Sequence, residues 1–217
     1  MHSRHDLVWL SEPGWEAALA AAEPGDAVAL DEWRRAHWPL VVTRRAPDAP
    51  PGTVCLGLSM PPESGSGRKR RIALRAQAIH IARRGPALPL TDAIDGAPVT
   101  WLPFLAALRT QAAGMDLRVY GSLALQTITG RAYLGAMSDI DLLFKPACRR
   151  ELADGLRALI AHAQRLPLDG EIVFPGGDAV AWKEWIAAVG AGARVLVKDG
   201  AAVRLATTES LLATLDA

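Results

Sequence analysis

At 217 residues the chain has room for one large domain or two small ones. Half of it is apolar and the net charge is +1, so a packed core is expected, and bulk charge points to neither nucleic acid nor a membrane surface. No stretch is long and apolar enough for a signal peptide or a membrane span, and Cys55 and Cys148 have no partner at metal-ligand spacing; free thiols and a cytoplasmic, reducing location are the expectation.

Residues 7–10 form an apolar anchor that reads as a first strand. A short helix is expected over 15–22, with Gly14 and Pro24-Gly25 as punctuation, and a further helical turn over 31–37. Residues 39–43 and 53–58 read as neighbouring strands joined by the turn 47–52. A loop rich in Pro, Gly and Ser spans 61–67 and runs into Arg68, Lys69, Arg70 and Arg71. Four adjacent cations suit an acidic partner or a polyphosphate; a solvated loop explains them equally well. Residues 85–98 are rich in Pro, Gly and small side chains, which places a domain boundary there: an N-terminal domain over 1–88 and a second over 89–217.

An amphipathic helix is expected over 99–113, with Trp101, Phe104, Leu105 and Leu108 at helical spacing and facing the core. Residues 117–120 then read as a strand that Gly121 and Ser122 interrupt before a helical run from 123 to about 129. Asp139 and Asp141 flank Ile140 at the head of an apolar run that ends at Phe144. Alternate strand residues point to one face, so the two carboxylates project together, with Cα atoms roughly 7 Å apart. That separation lets both reach one divalent cation or a pair of them. The Gly-Ser turn sets backbone N–H groups and a hydroxyl at a helix N-terminus, which favours phosphate. Paired hard oxygen ligands beside a phosphate cradle suit metal-assisted phosphoryl transfer.

A long helix is expected over 147–166, with Leu152, Leu156, Leu159 and Ile160 on its apolar face and Pro146 at its start. Residues 169–174 form the next strand. Residues 194–198 and 201–205 read as a hairpin through Asp199-Gly200, and Thr207 or Thr208 caps a last helix over 209–215. Helix and strand alternate through the second half, so the fold class is α+β (mixed α/β), with a mixed sheet flanked by helices after a small α+β N-terminal domain.

Gly121-Ser122 on a strand-to-helix turn, followed by Asp139-x-Asp141 on the next strand, resembles the signature of the nucleotidyltransferase superfamily. By that likeness a third carboxylate stands on the strand after the long helix; Glu171 fits the place, and Asp169, facing the same side, competes for it. Subtracting residue numbers, Asp139 follows Ser122 by seventeen positions, a long interval that holds Thr129, Gly130, Arg131, Ala132, Tyr133 and Leu134. The string from Val119 to Leu134, with Ser138 to Leu143, Gly170 to Phe174, Ala181 to Glu184 and Val195 to Lys198, is similar to the malonate decarboxylase holo-[acyl-carrier-protein] synthases, also called phosphoribosyl-dephospho-CoA transferases. Arg4 to Trp9 and Arg68 to Arg70 fit that family more loosely, so the likeness spans nearly the whole chain.

The resemblance implies a reaction. A phosphoribosyl-dephospho-CoA group passes from 2′-(5″-triphosphoribosyl)-3′-dephospho-CoA to a serine of the acyl-carrier subunit of malonate decarboxylase, and diphosphate leaves. It also implies roles. Asp139 and Asp141 would hold Mg²⁺, and Gly121 and Ser122 would cradle the phosphates. Glu171 would hold metal or accept the hydroxyl proton. Arg131, Lys183 and Lys198 would offset the triphosphate charge. Two other classes stay open at this point: a nucleotidyltransferase moving NMP from an NTP, and a non-catalytic module that docks a carrier protein.

Overall fold

The computed structural model describes residues 2–63, 65–188, 190 and 192–216. Ser64, within the expected Pro/Gly/Ser loop, lies outside the described residues. The chain divides into two compact units, Met1–Ala87 and Leu88–Ala217, and each combines helices with a sheet: the fold is mixed α+β. No helix among the described residues is long and apolar enough to cross a membrane.

The first unit holds β1 (Leu7–Leu10), α1 (Glu12–Ala20), α2 (Pro24–Arg35), β2 (Leu40–Val42), β3 (Thr53–Ser59), β4 (Arg71–Gln77) and β5 (Ile81–Gly85). Its five strands are antiparallel in the order β4-β3-β2-β1-β5. Alternation sorts the sheet into two faces. Leu40, Val42, Val54, Leu56, Leu58 and Ile72 are buried, as are Trp15 of α1 and Leu30 and Trp33 of α2. Two expectations change here. The first helix starts at Glu12, because Ser11 caps it by accepting from the Gly14 N–H and Pro13 suits a first turn; Gly14 lies inside it. The second starts at Pro24, since a proline at the first helical position lacks only an N–H that would have no helical partner.

The second unit holds β6 (Leu88–Pro89), α3 (Leu90–Ala93), α4 (Leu102–Gln111), β7 (Asp116–Tyr120), α5 (Gly121–Thr129), β8 (Ile140–Lys145), α6 (Arg149–His162), β9 (Leu168–Val173), β10 (Ala179–Ala181), α7 (Trp182–Ala187), β11 (Arg194–Lys198), β12 (Val203–Thr207) and α8 (Thr208–Leu212). The sheet runs β12-β11-β10-β9-β8-β7-β6, and only β8 and β9 are parallel, joined through α6. The core gathers Leu105 and Leu108 of α4, Leu117 and Val119 of β7, Leu142 and Phe144 of β8, Leu152 and Leu159 of α6, and Ile172 of β9. Trp101 and Phe104 pack partly buried against it.

Three details depart from the sequence reading. The helix expected over 147–166 spans Arg149–His162, and Ile160 is exposed, because Leu152, Gly155 and Leu159 set a buried stripe that Ile160 does not share. The chain from Leu88 is already regular: Leu90, Ala93 and Ile94 are buried core residues despite the Pro- and Gly-rich composition around them. The hairpin turn holds four residues rather than two. Lys198 pairs with Val203, and the Asp199 carboxylate accepts the N–H groups of Ala201 and Ala202 at 2.6 Å each.

Candidate active site

Strand parity builds a polar face on the second sheet. Leu142 and Phe144 of β8 and Leu168 and Ile172 of β9 lie in the core, so by parity Asp141, Asp169 and Glu171 belong to the opposite face. Asp139 immediately precedes β8 with the same parity, and it is exposed. The Asp-x-Asp pair therefore stands at the entry of a central strand, next to the exit of β7, where Tyr120 pairs with Asp141.

The Gly121 turn meets this pair directly. Gly121 has φ +68°, and a Cβ added there would lie 2.2 Å from Oδ2 of Asp141. Only a glycine brings the α5 backbone this close to the carboxylate without strain. Tyr120 stands in extended conformation at the N-cap, so α5 begins at Gly121 with its positive dipole end beside Asp141. Gly121, Ser122, Asp139 and Asp141 thus meet at one end of the sheet.

The third carboxylate is where register adds information. On β9 Asp169 pairs with Asp141, whereas Glu171 stands opposite Leu143, one pleat further on. Glu171 is buried, at 5% exposure, and accepts from Nζ of Lys198 at 3.1 Å. Asp169 accepts its neighbour's N–H, that of Gly170, at 2.9 Å and stands 3.5 Å from Nζ of Lys183. The two lysines thus lie on this face, each against a carboxylate. Arg131 does not join them. It follows α5 at its far end, about 13 Å along the helix from Gly121, and lines a cleft of about 450 Å³ with Gly96, Thr127 and Gly130.

The acidic face offers oxygen donors to a divalent ion. Among the described residues no three of His, Cys, Asp and Glu cluster as a closed metal cage. Mg²⁺ does not need one: it keeps several waters and is bound through one or two carboxylates plus substrate phosphates. Asp139 and Asp141, beside a turn suited to phosphate, fit that mode.

One residue that sequence patterning gave no reason to select organises the segment carrying Asp139. The Gln126 amide donates to the Gly96 carbonyl at 2.7 Å, and its oxygen accepts the N–H groups of Tyr133 at 2.9 Å and Leu134 at 3.1 Å. Tyr133 is fully buried. Gln126 therefore ties the chain leaving α5 back onto the helix five residues before Asp139. Gln126→Ala should leave two backbone donors without their acceptor and destabilise the fold by about 1–3 kcal/mol. Thermal unfolding checks this, and amide exchange at Tyr133 and Leu134 should accelerate.

Comparison with known proteins bears on the whole chain. The family model described as phosphoribosyl-dephospho-CoA transferase MdcG N-terminal domain matches residues 3–87, and that described as the MdcG C-terminal domain matches residues 89–209. A protein of Xanthomonas campestris pv. campestris (strain 8004), named phosphoribosyl-dephospho-CoA transferase, is 41% identical over 210 residues, covering 94% of each chain. One of the same name from Bradyrhizobium diazoefficiens is 36% identical over 201 residues, covering 90% of this chain and 86% of its own. A third, from Azotobacter vinelandii, is 33% identical over 220 residues, covering 93% of this chain and 91% of its own. No solved structure matches.

Proposed function

We infer the reaction from one premise: the chain belongs to the phosphoribosyl-dephospho-CoA transferase family. On that footing it is an enzyme that transfers a phosphoribosyl-dephospho-CoA group. We propose that the donor is 2′-(5″-triphosphoribosyl)-3′-dephospho-CoA, and that the acceptor is a serine of the acyl-carrier subunit of malonate decarboxylase. The observation that carries the chemistry is the seating of the Asp141 carboxylate against the Gly121 turn, which sets hard oxygen ligands beside a phosphate cradle.

The acceptor hydroxyl attacks the α-phosphorus in line with the departing diphosphate; one P–O bond forms as another breaks. The α5 N-terminus at Gly121 and Ser122 holds the phosphate oxygens. Asp139 and Asp141 would hold Mg²⁺, which would supply charge neutralisation for the transferred and departing phosphates. Asp169, register partner of Asp141, and Glu171 complete the acidic face and are the groups that accept the hydroxyl proton or help hold the ion. Lys183 and Lys198 sit against these two carboxylates and supply positive charge beside the leaving diphosphate. Arg131, at the other end of α5, serves a more distant part of a long donor.

The competing nucleotidyltransferase reading moves an NMP from an NTP onto another small molecule or protein, so donor choice tests the proposal. Diphosphate release in the presence of Mg²⁺ and apo carrier should be rapid with the triphosphoribosylated precursor and absent with ATP. Release from ATP at a comparable rate would replace this reading with NMP transfer.

A further inference from the structure

The outer face of the first unit's sheet carries a second chemically distinct feature. Cys55 pairs with Arg75 and Gly57 with Ala73 across β3 and β4, and these four share one parity. Small side chains leave room above that face. A cleft of about 420 Å³ opens there, lined by Thr43, Arg44, Cys55, Ala73, Leu74 and Arg75. Its volume suits a small molecule rather than a protein surface.

Its two guanidinium groups differ. Arg75 is held by Asp48, with Nη2 at 2.7 and 2.8 Å from the two carboxylate oxygens, and it keeps the Asp48 carboxyl below the ordinary carboxylate range. Arg44 has no such partner. Its Nε is buried and donates to no acceptor, and among the described residues it forms no ion pair or hydrogen bond. Arg44 therefore lines the cleft with its charge uncompensated by any carboxylate among the described residues, and an oxyanion in the cleft would supply the missing counter-charge. The neighbouring arginines are otherwise engaged: Arg45 donates to the Ala49 carbonyl at 2.7 Å, and Arg70, from the run that the sequence singled out, pairs with Asp26.

We propose that this cleft is a phosphate-binding subsite in which Arg44 is the principal ligand, taking a phosphate or diphosphate group that fits the fork of its guanidinium. Thr43 adds a hydroxyl at the rim, and Arg75 adds positive charge while staying bound to Asp48. A planar guanidinium pairs phosphate oxygens bidentately, whereas an ammonium acts as a point charge. Two sources share this chemistry: the diphosphate bridge of a dephospho-CoA-type nucleotide, and free inorganic diphosphate. The first rests on the family reading given above; the second does not.

The test is calorimetric titration of the full chain, wild type against Arg44→Ala and Arg44→Lys, with 3′-dephospho-CoA and inorganic diphosphate as separate probes. Because the Arg44 side chain has no hydrogen-bond or ion-pair partner among the described residues, neither variant should lower the unfolding temperature. Arg44→Ala should weaken binding at least tenfold, and Arg44→Lys should weaken it less, since charge is kept and the fork is lost. Arg44-dependent binding of dephospho-CoA that inorganic diphosphate does not match assigns the site to the nucleotide. Equal Arg44-dependent binding of both assigns it to free diphosphate. Unchanged affinity for both probes in both variants, or no binding of either by the wild type, overturns the subsite. Neither probe needs a carrier protein or turnover, so failed group transfer with intact Arg44-dependent binding would count against the proposed reaction alone.

Discussion

Replacing Asp139 or Asp141 by Asn is expected to abolish group transfer and leave the fold in place. The amide keeps the shape of the side chain and removes the charge that makes it a ligand for a hard cation. Asp139 is exposed and precedes β8, so its substitution disturbs no core contact. Asp141 stands against the Gly121 turn, and an isosteric amide avoids opening space there. Losing one donor to the charge developing on transferred phosphate costs roughly 3 kcal/mol or more, a rate loss of about a hundredfold or greater. Steady-state diphosphate release measures it, with circular dichroism as the fold control. Turnover near the wild-type rate in both variants would remove these two residues from the reaction.

Gly170→Ala should have the largest effect on stability. Gly170 lies between Asp169 and Glu171 on β9, with φ +128°, a region that L side chains rarely adopt. An added Cβ would sit 1.9 Å from the Leu142 carbonyl oxygen and 2.5 Å from the Leu142 nitrogen. Those atoms belong to the β8 backbone and have no rotamer with which to yield. Relief requires β8 and β9 to separate, and these are the two strands that carry the acidic face. Destabilisation of about 4 kcal/mol or more is expected, enough to unfold a marginal domain. Denaturant unfolding gives the value; a midpoint within experimental error of wild type would mean that the two strands tolerate the added methyl group.

The candidate site was legible in the sequence where its parts are neighbours along the chain. Gly121, Ser122, Asp139 and Asp141 sit on one strand–helix–strand passage, and parity alone puts the two carboxylates on one side. Long-range register was not legible. Nothing in the pattern around residue 171 says that Asp169 rather than Glu171 pairs with Asp141, or that Lys198, on another strand, reaches Glu171. Gln126 reads as one polar residue on a helix until the chain after Gly130 folds back to donate to it. Arg44 looks like any surface arginine beside Arg45, because what distinguishes it, a cleft wall with no acceptor for it among the described residues, is a matter of three-dimensional neighbours.

Short strands and helix starts escaped for local reasons. β5 consists of Ile81, Ala82, Arg83, Arg84 and Gly85, and its polar members stay accessible, so no apolar alternation marks it. Its pairing with β1 is what makes it a strand. Pro24-Gly25 reads as a break, yet Pro24 opens a helix of twelve residues. The apolar periodicity of α4 and α6 was strong enough to identify both helices without tertiary information.

The most direct measurement of the central claim is the intact mass of a purified apo acyl-carrier subunit of malonate decarboxylase after incubation with this protein, Mg²⁺ and 2′-(5″-triphosphoribosyl)-3′-dephospho-CoA. The expected result is one added phosphoribosyl-dephospho-CoA group per carrier, on serine, with one diphosphate released, and no addition when Asp139→Asn replaces the wild type. A carrier that stays at its apo mass with active, metal-loaded protein, or that gains a nucleoside monophosphate from ATP instead, would contradict it.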